Sequence, residues 1–466
     1  MINSGAYSNL TDTIAAVTTP HGRGGTGVVR VCGPKALFIA DKVFCLPNNI
    51  PPSQCASHTI HFGRVVENGS VIDECLLSIM KAPRTYSGQD TVELSLHGGP
   101  MPLKLTLACC IRAGARQAGP GEFTYRAFAL GKIDLAQAEA VCDLISAKTE
   151  AASKASLRAL EGALSEKITA WRNDLISLLM RLETTIDHAG EDFIPITPPQ
   201  LKAASEALRN GIAMLLQSYA KARHLRCGIR VVICGRPNVG KSSLMNALLE
   251  RERAIVSNVP GTTRDTIEEH MDICGIEVVI TDTAGLRRTS NDAIEAQGFE
   301  RARKAMGGAD VALWVVDGSQ PLNSDDNSVG ALIRETSLLA RTIILVNKND
   351  LPQQINTTPL PAANKIINIS CTKASGLDSI GRSIVECVTD APAGPEIIMV
   401  NERHCSALKN ADLALSEAEN AIAQGATEDL LAFHVREALD YLGEITGATA
   451  DEEILSKIFS NFCIGK

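Results

Sequence analysis

The stretch from Arg230 to Leu248, RVVICGRPNVGKSSLMNAL, decides the fold of the middle of this chain. A β-branched run, Val231-Val232-Ile233, leads into the turn Gly235-Arg236-Pro237-Asn238-Val239-Gly240-Lys241-Ser242. A run of helix formers follows, so the pattern predicts strand, loop and helix in that order. Such a loop turns its backbone N–H groups, and the start of its helix, toward an anion. Asn238, Val239, Gly240, Lys241, Ser242 and Ser243 are therefore candidate phosphate contacts. Lys241 should reach the β- and γ-phosphates, and the Ser242 hydroxyl should ligate Mg²⁺. Asn238 has no obvious task in a loop that works through backbone groups.

Four further elements follow in fixed order. PGTTRD offers Thr263 as a second Mg²⁺ ligand. VVITDTAG places Asp282 at a strand end to reach the metal through water, with Thr283, Ala284 and the Gly285 N–H beside the γ-phosphate. IILVNKND supplies Asn347, Lys348 and Asp350; an aspartate there accepts from guanine's ring N–H and exocyclic amine, a donor pair that adenine lacks. INISCTK puts Ser370, Cys371 and Thr372 where backbone groups can read the guanine carbonyl. Together they select GTP.

Hydrolysis also needs a group to orient water. In Ras-like enzymes that is the glutamine after the D-x-x-G element, but here the place is taken by Leu286, which cannot hydrogen-bond. Arg287, Arg288 and Glu295 are the nearby candidates, the arginines being equally readable as a solvated face. Charge stabilisation dominates phosphoryl transfer, so a monovalent cation beside the phosphates is an alternative to an arginine finger. The Asn238 amide oxygen suits K⁺, with carbonyls of the Ser257–Thr262 loop completing its shell. The other reading of Asn238 is an amide that stabilises its own loop.

Outward from this core, 466 residues exceed one hydrophobic core and imply about two to four domains. Apolar residues at 45% and charged residues at 21% fit a globular protein rather than a disordered or membrane-spanning one. Aromatics at 4% argue against a broad base-stacking surface, and a net charge of −8 confines any RNA contact to a local patch or a partner. The 14 cysteines form no C-x-x-C pair and read as reduced thiols; no signal peptide or membrane span is visible, and the expected location is cytoplasmic.

Residues 1–124 read as mixed α+β, with strand runs at TIAAVTTP, GVVRVCG, HTIHFGRVV and TVELSLHGG. Residues 125–227 are Ala- and Leu-rich at helical spacing, 228–390 alternate strand and helix, and 391–466 return to helix. The expected fold is multidomain α/β: an N-terminal α+β domain, a discontinuous helical domain whose two blocks pack on each other, and an inserted Ras-like P-loop domain. Gly22–Gly27 matches G-x-G-x-x-G but leads into a strand-like run, so it reads as a glycine turn and not a dinucleotide fingerprint.

Beyond the P-loop domain, TIAAVTTPHGRGGTGVVRVCG, YSGQDTVELSLHGGP, GPGEFTYRAFALGKIDLAQAEAV and the C-terminal IFSNFCIGK carry a resemblance. The chain resembles the MnmE (TrmE) family of tRNA-modification GTPases, essentially end to end. The resemblance implies a K⁺ ion held by Asn238, Ser257, Val259 and Thr262, which promotes pairing of two G domains and stimulates hydrolysis. It implies Glu295 as the residue that orients water, after a one-residue length difference. It implies an N-terminal homodimer that binds 5-formyl- or methylene-tetrahydrofolate through Arg30, Glu93, Lys132 and Lys466, and it marks Cys463 as the family cysteine and a catalytic candidate. It implies an FAD-dependent partner, MnmG, with which carbon 5 of the tRNA wobble uridine receives an aminomethyl or carboxymethylaminomethyl group. Pro260 before the switch glycine and Asn349 within N-K-x-D depart from the expected pattern without removing a ligand.

Two rival readings remain. GRPNVGKSSLMN also suits ribosome-assembly GTPases of the Era and Der kind, but the C-terminal block lacks the G-x-x-G loop of a KH domain. The other rival is a one-carbon module regulated by a GTP switch.

Overall fold

The computed structural model describes residues 10–20, 22–187, 197–251, 253–254, 268–282, 303–336, 338–356, 364–388 and 398–466. They fall into two compact units. One comprises Met1–Cys142, Leu160–Lys202 and Asn410–Lys466; the other comprises Asp143–Ala159 and Ala203–Lys409. The units cut across the sequence segments, because residues 143–159 and 203–227 pack with the P-loop region.

The first unit is built on strands β1 (Ile14–Val17), β2 (Thr26–Cys32), β3 (Phe44–Cys45), β4 (Thr59–Glu67), β5 (Ser70–Met80), β6 (Thr91–His97) and β7 (Arg116–Gln117). Their order is β3-β4-β5-β6-β2-β1-β7, and every pairing is antiparallel except β1 with β7. Alternation gives most of the sheet one buried face. Val29, Val31, Leu77, Ile79, Val92 and Leu94 lie there beneath helices Ala36–Val43 and Pro100–Arg112. β5 carries this alternation, with Cys75, Leu77 and Ile79 buried, although its polar start hid it among the strand signals. β1 is buried on both faces, with its Ile14 and Ala16, and Cys32 of β2, against Ala118 and Phe123 on the other side. The glycine turn joins β1 to β2 as a hairpin connection, and a Cβ at Gly98 would stand 2.3 Å from the Gly24 carbonyl oxygen. No helix follows the turn, so it is not a nucleotide fingerprint.

Helix Ala163–Asp187 packs along helix Glu428–Thr446 in the same unit. The buried residues recur at helical spacing on both: Leu164, Ile168, Leu175, Leu178 and Leu182 on one, Leu431, Val435, Ala438, Leu442 and Ile445 on the other. Each helix has one apolar stripe and covers the other's, which joins distant parts of the chain.

The second unit holds β8 (Ile229–Cys234), β9 (Arg253–Ala254), β10 (Glu268–Ile273), β11 (Ile276–Asp282), β12 (Val311–Asp317), β13 (Thr342–Asn347) and β14 (Lys365–Asn368). The order is β14-β13-β12-β8-β11-β10-β9, parallel from β14 to β11, with β10 and β9 antiparallel at the edge. Central strands read as continuous apolar runs because both faces are covered; all of β12 and β13 is buried. β10 carries little strand signal of its own, because four of the six residues of EEHMDI are polar and only the two-residue β9 lies outside it. Register brings the carboxyl ends of β8, β11, β12, β13 and β14 level: Asp282 pairs with Ile233, Trp314 with Cys234, Asp317 with Asn347 and Val346 with Asn368. In open parallel sheets ligands bind outside these ends.

Candidate guanine-nucleotide site

The phosphate loop leaves β8 at Gly235 and enters helix Lys241–Arg251. Three of its residues have φ in the left-handed region: Gly235 at 144°, Asn238 at 63° and Gly240 at 101°. At Gly235 a Cβ would meet the Val315 carbonyl oxygen at 2.3 Å, and at Gly240 it would meet the Asn347 Nδ2 at the same distance. Glycine is required at both, whereas asparagine tolerates the left-handed conformation better than most residues. That is one physical reason for Asn238. Its side chain is exposed and makes no hydrogen bond among the described residues, so the amide does not tie down its own loop.

Lys241 is buried, and its Nζ donates to the carbonyls of Gly235 at 2.8 Å and Arg236 at 2.7 Å. Ser242 and Ser243 are exposed in the first turn of the helix. A serine hydroxyl in that place is a hard oxygen donor and fits Mg²⁺.

Asn347 braces the site. Its Nδ2 donates to the Val239 carbonyl at 2.8 Å, and its Oδ1 accepts from the Cys371 N–H at 3.2 Å. One buried side chain thus joins the phosphate loop to the Ser370–Thr372 loop. Asp350 lies at the mouth, where Ser370 Oγ donates to its Oδ1 at 2.5 Å. That bond holds the Asp350 carboxyl below the usual carboxylate range, so it stays an ionised acceptor. Ser370 is buried; its hydroxyl also accepts from the Lys373 N–H at 3.2 Å. Lys348 adopts φ 65°, and its Nζ donates to Asp317 Oδ2 at 2.6 Å.

Asp317, Arg236 and Asp326 are part of this arrangement, although the motifs pointed to none of them. Arg236 Nη2 lies 3.8 Å from Asp317 Oδ2, its Nε lies 3.3 Å from Asp326 Oδ2, and it donates to Gln320 at 2.9 Å. The one available signal was an aspartate closing an apolar strand, VVDGS, just before a glycine.

The backbone of Asp282 ends β11 beside the phosphate loop. Ser257, Val259, Thr262, Thr263, Thr283, Ala284, Gly285, Arg287, Arg288 and Glu295 lie outside the described residues.

In the first unit the structure brings three of the four proposed folate residues to one neighbourhood. Arg30 Nε donates to Glu93 Oε1 at 2.7 Å, across directly paired positions of β2 and β6. Arg30 Nη1 donates to the Gly465 carbonyl at 3.4 Å, and its guanidinium lies 5.3 Å from the centroid of the Phe123 ring. The chain end is docked, with the Phe123 N–H donating to the Lys466 oxygen at 3.1 Å and Pro120 bridging Ile464. Lys132 is exposed and donates to the Pro83 carbonyl at 3.2 Å. The Cys463 thiol is exposed, while its carbonyl accepts from Gly121 and Lys466 N–H groups, both at 3.3 Å.

A glycine-shaped loop at a helix start, joined through the Asn347 side chain to the Ser370–Thr372 loop at the carboxyl ends of a parallel sheet, is the arrangement of a P-loop GTPase, an enzyme that hydrolyses GTP. Comparison with known proteins narrows this. The family model for the MnmE helical domain matches residues 135–463, and that for the GTP-binding protein TrmE N-terminus matches residues 13–132. A tRNA modification GTPase MnmE of Heliobacterium modesticaldum is 44% identical over 98% of this chain and 99% of its own. Proteins of the same name from Carboxydothermus hydrogenoformans and Acetivibrio thermocellus are 42% and 41% identical, again over 98% of this chain, and over 100% and 99% of theirs. The chain belongs to the MnmE family of tRNA modification GTPases. Among the described residues no helix is long and apolar enough to cross a membrane.

Proposed function

We propose that the chain couples K⁺-dependent GTP hydrolysis to modification of carbon 5 of the tRNA wobble uridine. It acts with an FAD-dependent partner of the MnmG kind and a one-carbon unit carried on a tetrahydrofolate. The end-to-end likeness to proteins named tRNA modification GTPase supports the tRNA half of this reading. Asn238 carries the K⁺ half: it stands in the phosphate loop with an exposed amide that bonds no described residue. Such an oxygen is free to ligate a cation beside the phosphates, with Ser257, Val259 and Thr262 as the remaining proposed ligands.

Mg²⁺ would be held by Ser242 and Thr263 and would neutralise charge on the β- and γ-phosphates. Lys241 adds a fixed positive charge, loop N–H groups add partial charges, and Glu295 orients the attacking water. Arg30 and Glu93 form a pair that is only partly buried, with side chains 20% and 26% exposed beside the docked tail. A ligand with both donors and a carboxylate, such as a folate, suits a guanidinium and a carboxylate placed side by side. Ile60, Phe62 and Leu76 are 66%, 57% and 44% exposed on one face of β4 and β5, an apolar patch suited to a homodimer contact.

The test is GTP turnover in KCl against NaCl at matched ionic strength, for wild type and Asn238→Gly. Glycine keeps the left-handed conformation and removes only the amide. Strong K⁺ stimulation that disappears in the variant is the expected result. Equal wild-type rates in the two salts would refute the K⁺ reading and leave Asn238 with a conformational role alone.

A further inference from the structure

We infer that Asp317 is a positioning residue of the nucleotide site: one carboxylate anchors Lys348 from the base-reading corner and Arg236 from the phosphate loop. It rests on the GTPase activity of the site.

Asp317 closes β12 in register with Asn347 of β13, so its side chain starts beside the residue before Lys348. It is 4% exposed. Oδ1 accepts from the Ser319 N–H at 3.0 Å and the Ser319 hydroxyl at 2.6 Å. Oδ2 accepts from Lys348 Nζ at 2.6 Å and faces Arg236 Nη2 at 3.8 Å. Burial opposes ionisation, but the bonds from Lys348 and Ser319 outweigh it and hold the carboxyl below its ordinary range. The carboxylate is therefore charged and shared.

It is shared by two cations, one on each side of the site. Lys348 sits in a left-handed conformation that is costly for a lysine, and its backbone carbonyl is tied to Gln353 at 3.0 Å. The Gly318 N–H donates to the Asn347 carbonyl at 2.8 Å, which fixes the Asp317 corner against the same turn. Arg236 is held from its other side by Asp326. Asn347 joins the phosphate loop to the guanine loop through neutral hydrogen bonds, and Asp317 makes a second tie through charge. Losing that charge releases Lys348 from its 2.6 Å bond and removes one of the two carboxylates that face Arg236, leaving it on Asp326 and Gln320.

The experiment measures fluorescent GDP and GTP affinity, and kcat and KM for GTP, in wild type, Asp317→Asn, Arg236→Gln and the double variant. Asparagine keeps the shape but cannot accept from both Ser319 and the cations. The expected result is a rise of about tenfold in Kd for both nucleotides in Asp317→Asn, with KM following and kcat changing less than about threefold. The Asp317 and Arg236 effects should be less than additive, since one contact is removed by either change. Wild-type affinity in Asp317→Asn, or full additivity, overturns the inference. A wild-type protein that binds no guanine nucleotide would instead overturn the GTPase reading.

Discussion

At the scale of single residues, the site depends on close approach more than on side-chain chemistry. Gly240 is the sharpest case. Its φ of 101° and the 2.3 Å approach of a built Cβ to Asn347 Nδ2 leave no room for alanine. Gly240→Ala should displace Asn347 from the Val239 carbonyl and weaken binding of GDP and GTP by about 100-fold or more, from strain plus a lost buried hydrogen bond. Fluorescent-nucleotide titration checks this, and near-normal affinity would mean that the brace does not set the loop. The glycines, Lys241 and Asp350 were readable because each requirement is local to its motif. Asp317 and Arg236 were not, because their partners lie on other elements and meet only through the pairing of β12 with β13 on one side and with β8 on the other.

At the scale of elements, the C-terminal tail behaves as part of the N-terminal sheet's structure. Gly465 has φ 99°, and a Cβ there would lie 2.6 Å from the Val17 carbonyl oxygen. Gly465→Ala should dislodge the tail, lose the Arg30 contact to its carbonyl and expose Phe462, which is 6% exposed in place. The expected loss is about 2–3 kcal/mol, in the range of strain combined with lost packing. Urea denaturation measures it, and faster trimming by carboxypeptidase should accompany it; unchanged stability and trimming would show the docking to be loose. FCIGK was legible as a motif, but nothing in five residues tells that they fold back on β1. β5 and β10 are hard to read for a related reason: strands rich in polar residues are recognised by their partners more than by their own pattern.

At the scale of the whole molecule, a chain of net charge −8 has little long-range attraction for nucleic acid. The apolar patch on β4 and β5 is the surface on which the proposed homodimer would form. Phe62 pairs directly with Leu76 and stands in its centre. Phe62→Asp should convert a dimer to a monomer at micromolar concentration by light scattering, at little cost in melting temperature, because the side chain is 57% exposed. A variant that stays dimeric would place the interface elsewhere.

The sequence by itself determined the nucleotide class, the strand–loop–helix at Gly235–Lys241 and the parallel α/β sheet, because backbone conformation and apolar periodicity are local properties. It also carried the family likeness from end to end. The tertiary structure alone decided that residues 143–159 and 203–227 pack with the P-loop sheet, which helices of the two expected partner blocks meet (Ala163–Asp187 with Glu428–Thr446), that the tail docks beside Arg30, and that one aspartate serves two loops. Those are choices among apolar stripes and charges that could each have met several partners, and the choice is made by burial and register across residues far apart in the chain.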